Sequence, residues 1–78
     1  MELLDWGYTR RYNIKAYFSK FPNSLVIFRQ ITDYYFVYQV KWSDLDPVVN
    51  REDLEEMELL INQVLGMEEA YLKRKSKV

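Results

Sequence analysis

The sequence contains no cysteine and no histidine. The first absence excludes disulfides, and the two together leave no ligand set for the usual structural zinc sites. They also remove the side chains that most often move protons or attack as thiolates near neutral pH. Glycine and proline occur twice each in 78 residues, so long elements are expected rather than many short loops. The two glycines, Gly7 and Gly66, are too far apart to form a phosphate-cradling loop. Serines occur at 19, 24, 43 and 76, but none has an evident base beside it. No apolar run is long enough to cross a membrane, and the segment MELLDWGYTRR does not resemble a leader. These absences point to a cytoplasmic, non-catalytic protein with no cofactor, no resident metal and no membrane partner. Glu52 and Glu56, four apart, are the nearest approach to a magnesium pair, and such pairs are commonplace on solvated helices.

Bulk and charge pattern are what the chain does have. It is 49% hydrophobic and 17% aromatic, which suits a single small domain over residues 1–78 that must stabilise itself by packing or association. The net charge of -1 conceals three blocks. Residues 1–42 carry six basic and three acidic side chains, residues 43–72 carry nine acidic and one basic, and residues 73–78 carry four basic. A basic first half and a basic tail suit an anionic partner, or the blocks attract one another.

Leu25–Ile31 and Tyr34–Trp42 are rich in β-branched and aromatic residues, with Thr32-Asp33 between them, and read as a β-hairpin. In that register Phe28 opposes Val37 and Ile27 opposes Tyr38. One face collects Leu25, Ile27, Arg29, Ile31, Tyr34, Phe36, Tyr38, Val40 and Trp42, and is assigned to the core because it is the more apolar. The other holds Val26, Phe28, Gln30, Tyr35, Val37, Gln39 and Lys41. Upstream, Tyr12–Phe18 reads as a third strand, although Ile14, Tyr17, Phe18 and Phe21 also fit a helical spacing. A turn is expected at Asn23-Ser24, after Pro22. Asp46-Pro47 supplies an N-cap and a first-turn proline, and Leu54, Met57, Leu60, Ile61, Val64 and Leu65 then form the stripe of an amphipathic helix. A break is expected after Leu65, leaving residues 67–78 as a short second helix or a mobile basic tail. The fold class is thus α+β: an antiparallel three-stranded β-meander packed by a C-terminal amphipathic helix, in the order β-β-β-α.

Two functions follow from the surplus of rings. The first is a protein-interaction module, regulatory or inhibitory and self-associating, with Phe28, Tyr35, Lys41 and Leu59 at the contact. The alternative is a nucleic-acid-binding module using the aromatic and basic sheet face and the basic tail, with Arg10, Arg11, Lys15 and Lys41 meeting phosphates. The strand-strand-strand-helix order resembles, in architecture, small DNA-binding domains that lay a three-stranded sheet in the major groove, such as the arm-binding domains of some integrases. That resemblance implies a sheet-borne nucleic-acid site, although those domains are usually basic overall and this chain is not.

Overall fold

A computed structural model describes residues 1–75. It has four strands, β1 (Leu3–Tyr8), β2 (Ile14–Phe18), β3 (Phe21–Ile31) and β4 (Tyr34–Lys41), followed by two helices, α1 (Arg51–Val64) and α2 (Glu68–Lys75). The strands form one sheet in the order β1-β2-β3-β4, and each neighbouring pair is antiparallel. The class is α+β with an antiparallel meander as expected, but with four strands and two helices rather than three and one. The third strand expected around Tyr12–Phe18 is β2. The additional strand is β1, whose apolar residues do not alternate because Leu4 is the extra residue of a bulge between the Leu3–Phe18 and Asp5–Tyr17 pairs.

The two faces of the sheet are the reverse of the sequence expectation. The core gathers Ile14, Ala16, Phe18, Phe21, Val26, Phe28, Tyr35, Met57 and Ile61, with Val37 and Val40 packed against it. Strand β2 decides the sidedness: Ile14, Ala16 and Phe18 are buried, and Lys15 and Tyr17 face away. Ile14 pairs with Phe28 and Ala16 with Val26, so those two β3 residues go inward. A second bulge, at Tyr38, shifts β4 by one position. Phe28 does oppose Val37, but Ile27 opposes Gln39 rather than Tyr38. Val37 and Val40 therefore both reach the core, and the continuous aromatic face expected of β4 is broken up.

The turns also differ from expectation. Pro22 and Asn23 lie within β3 rather than before it, and the β2–β3 reversal is at Ser19-Lys20. A strand admits proline at such an irregularity, and the β2–β3 register shifts between Ala16 and Phe18. Thr32-Asp33 forms the two-residue β3–β4 turn, with Thr32 at φ 52°, a left-handed conformation unfavourable for a β-branched residue. Its hydroxyl donates to the Ile31 carbonyl at 2.7 Å.

Helix α1 begins later than Asp46-Pro47 suggests. Asn50 is its N-cap: the Asn50 side chain accepts from the Asp53 N–H and the Asp53 carboxylate accepts from the Asn50 N–H. Asp46 instead ties the loop before α1 to β3, accepting from the Ser24 hydroxyl at 2.6 Å and from the Asn23 N–H and side-chain amide at 3.0 Å each. Gly66, at φ 74°, ends the helix, and α2 turns back along it. The chain resumes after this break as α2 over Glu68–Lys75, and residues 76–78 of the segment read as a short second helix or a mobile tail lie outside the described residues.

Burial acts to raise the Asp46 carboxyl, and its three hydrogen bonds outweigh that, holding it below the ordinary value of 3.8. Asp53 moves the same way: burial raises it, and the bonds from Lys20 and the backbone of Asn50 lower it further. For a depressed carboxyl, the stabilising contribution is complete above the unfolded-state pKa and disappears as pH falls through the folded one. The urea midpoint should therefore decline below about pH 4, and Asp46→Asn should flatten that decline. Equal acid slopes for Asp46→Asn and the parent would contradict the assignment.

The edges of the sheet are treated differently. Along β4, the Tyr35 N–H donates to Asn62 Oδ1 at 2.8 Å, and Asn62 Nδ2 donates to the Tyr35 carbonyl at 2.8 Å. The Val37 N–H donates to Glu58 Oε2 at 2.9 Å. Side chains of α1 thus stand where a fifth strand would pair. No described residue pairs with the outer edge of β1, where Leu4 is 55% exposed. No helix among the described residues is long and apolar enough to cross a membrane.

Candidate binding face of the sheet

The helices cover one face of the sheet, and the other face is built from the outward residues of all four strands. β1 contributes Asp5 and Gly7, β2 contributes Lys15 and Tyr17, β3 contributes Leu25, Ile27 and Arg29, and β4 contributes Tyr38, Gln39 and Lys41. Register places Gly7, Lys15, Ile27 and Gln39 in one row across the sheet. Asp5 pairs with Tyr17, and Leu25 with Lys41, on the same side. The Arg29 guanidinium lies 3.8 Å over the Tyr38 ring, a stack that fixes a long side chain against the sheet. Tyr17 is 36% exposed and Tyr38 51% exposed.

Three cations and one carboxylate share this face, and none of the four makes an ion pair with another of the described residues. On the helix side Lys20 is engaged with Asp53 at 2.8 Å, Arg51 with Glu55 at 3.3 Å, and Lys75 with Glu55 at 3.5 Å. The charge blocks of the sequence become two sides of the molecule, a carboxylate-rich helix layer and a sheet face with excess positive charge.

A shallow well of about 200 Å³ lies on this face, lined by Asp5, Trp6, Gly7, Lys15, Tyr17 and Leu25. Gly7 interrupts the row of side chains there, and a Cβ built on it would meet nothing within 4 Å. A second cleft, of about 270 Å³, lies between β4 and α2, among Tyr34, Phe36, Glu58, Tyr71, Arg74 and Lys75. Its inner wall is already committed: the Tyr71 hydroxyl donates to Glu58 at 3.0 Å, and the Tyr71 ring packs 6.1 Å from that of Tyr34. Burial, reinforced by Glu58, pushes the Tyr71 phenol far above its ordinary value, so it stays protonated and donating. Among the described residues, no group of three or more carboxylates converges on a possible metal position.

The residues singled out from sequence do not come together as one site. Phe28 is fully buried and Tyr35 is 4% exposed, so neither ring is available to a partner. This corrects their assignment to a surface, and the cause is the sidedness imposed by β2. The Tyr35 hydroxyl donates to the Tyr12 carbonyl at 3.3 Å. Leu59 is half-buried in the opposite layer, in a groove where α2 brings Tyr71 and Leu72 beside Glu52, Glu55 and Glu56. Lys15 and Lys41 do share the helix-free face. Arg10 and Arg11 are exposed in the β1–β2 turn, beyond the end of the strands. Arg29 and Tyr38, read from sequence as core, belong to the exposed face, as do Asp5 and Gly7. The signal for that face was the alternation of Lys15 and Tyr17 against Ile14, Ala16 and Phe18.

Comparison with known proteins adds a family. A family model described as "Uncharacterised protein YuzH" matches residues 2–76. No curated protein and no solved structure matches the chain.

Proposed function

The chain belongs to the YuzH family, and we propose that it works as a small non-catalytic binding module whose working surface is the helix-free face of the sheet. The partner is an anionic macromolecule. One observation carries the reading: Lys15, Arg29 and Lys41 stand among half-exposed rings with no ion-pair partner among the described residues, whereas Lys20, Arg51 and Lys75 are matched to carboxylates of α1. Cations without counter-charges on one face focus a positive potential there and steer polyanions toward it from solution. Two copies meeting through this face would oppose like charges, which disfavours symmetric self-association there.

The test is a titration of the protein into fluorescein-labelled polyglutamate and into a labelled single-stranded oligonucleotide, across roughly 50 to 200 mM salt. Binding to at least one probe is expected, weakening steeply with salt and lost in the double variant Lys15→Glu, Lys41→Glu. Arg51→Glu makes the same charge change on the helix side and is expected to leave binding intact. Salt-insensitive binding, or equal losses in both variants, would remove the sheet face from consideration.

A further inference from the structure

We infer that the occupant of this face is single-stranded nucleic acid, with one nucleobase seated in the well over Gly7. The inference rests on the reading of the sheet face as a polyanion site and names the polyanion. Three features of the well carry it beyond net charge.

The first is the glycine. A glycine inside a strand weakens the strand and leaves a gap in the side-chain row, and it often marks a place where a ligand approaches the backbone closely. The φ of Gly7 is not in the left-handed region, and nothing lies within 4 Å of a Cβ built there. Neither backbone conformation nor crowding therefore requires glycine at this position, and the open space it leaves is the floor of the well.

The second is the wall. Tyr17 and Leu25 line the well with apolar surface, which suits the face or edge of a planar ring. Further along the same face Arg29 and Tyr38 form a stacked pair, a second flat element on which a neighbouring base can lie.

The third is Asp5. A carboxylate is out of place on a surface that only gathers polyanions, since it repels phosphate. Asp5 has no ion-pair partner among the described residues and lines the same well as Lys15. An ionised carboxylate only accepts hydrogen bonds, so in the well it selects a ring bearing N–H groups. The exocyclic amine of cytosine, adenine or guanine supplies them clear of any flanking carbonyl, whereas the single ring N–H of thymine or uracil lies between two carbonyl oxygens that repel a carboxylate. Lys15 pairs across strands with Gly7, and so sits beside the well where the phosphate of the same nucleotide would lie. An acidic polypeptide satisfies the lysines, but it brings no planar ring to the glycine floor, and its carboxylates are repelled by Asp5.

The experiment compares labelled oligo(dC) and oligo(dT) of about 12 nucleotides, a duplex of the same length, and labelled polyglutamate. Each is titrated by anisotropy with the full chain and its variants. Oligo(dC) is expected to bind more tightly than oligo(dT), duplex or polyglutamate. Gly7→Val fills the well on a strand that tolerates valine, and should weaken oligo(dC) binding about tenfold without lowering the melting temperature. Asp5→Asn adds no bulk, and should erase the preference for oligo(dC) over oligo(dT) while leaving affinity for polyglutamate unchanged or higher. It reads the same well if Gly7→Val proves unstable. Oligonucleotide binding that ignores both variants, or polyglutamate or duplex binding tighter than oligo(dC), would overturn the inference and leave the anionic-partner reading in place. Absence of binding to every probe would overturn both.

Discussion

Asn62→Leu should lower the unfolding free energy by about 3 kcal/mol or more, the largest loss expected from any single polar side chain here. Asn62 is fully buried. Its amide serves both backbone groups of Tyr35, taking the N–H on Oδ1 and giving a proton to the carbonyl, and also donates to the Glu58 carbonyl at 2.8 Å. Leucine is nearly isosteric and more apolar, so transfer energy alone would favour it. What decides the sign is that two main-chain groups of β4 would remain buried without partners, each costing about 1–3 kcal/mol. A domain of this length has a total stability of about 4–12 kcal/mol, so the variant would stand near the edge of folding at 37 °C. Urea unfolding followed by tryptophan fluorescence measures this directly. A midpoint within error of the parent would mean that α1 is not what closes the β4 edge.

Phe28→Ala should cost about 3–5 kcal/mol, and Phe28→Glu should prevent folding. The ring is fully buried on a central strand, opposite Val37 on one side and Ile14 on the other, and meets Phe18 edge-on with centroids 6.1 Å apart. Truncation removes most of that contact in a place where the surrounding rings cannot collapse inward. Charge is worse, since an unpaired carboxylate buried among these apolar side chains costs far more than the lost contacts of the ring. Tyr38→Ala, on the other face of the same hairpin, should change stability by no more than about 0.5 kcal/mol. The pair tests the sidedness of the sheet: comparable losses at Phe28 and Tyr38 would mean that both faces are packed.

That sidedness is also where sequence and structure diverge most. The α+β class, the antiparallel meander, the pairing of Phe28 with Val37 and the apolar stripe of α1 apart from the exposed Val64 are legible because each rests on local periodicity. The inward face is not legible from β3 and β4 alone, because both of their faces are apolar and the bulge at Tyr38 reverses the alternation partway along β4. Only β2 has an unambiguous face, and its role depends on pairing with β3, a non-local fact. Strand β1 was hidden for a related reason, the Leu4 bulge. Asp46 shows the limit of capping rules: Asp-Pro is a good helix start, yet Asn50 and Asp53 offer a reciprocal box four residues later, and Asp46 serves Ser24 and Asn23 instead. At the candidate site, Lys15 and Lys41 could be chosen from charge and strand position. Asp5 and Gly7 could not, because their meaning depends on which strand lies beside Lys15.

The unequal edges of the sheet also bear on how copies of this chain can stack. An edge strand is a template, and a sheet open on both sides can recruit neighbours without limit. Here Asn62 and Glu58 of α1 occupy the β4 edge at Tyr35 and Val37, so among the described strands β1 is the one whose edge is open to another strand along its length. Edge-to-edge growth through β1 therefore stops at two molecules, because the second copy presents only its own sealed β4 edge. The helix layer that completes the core also acts as a chain terminator, setting the greatest length any ribbon of these sheets can reach.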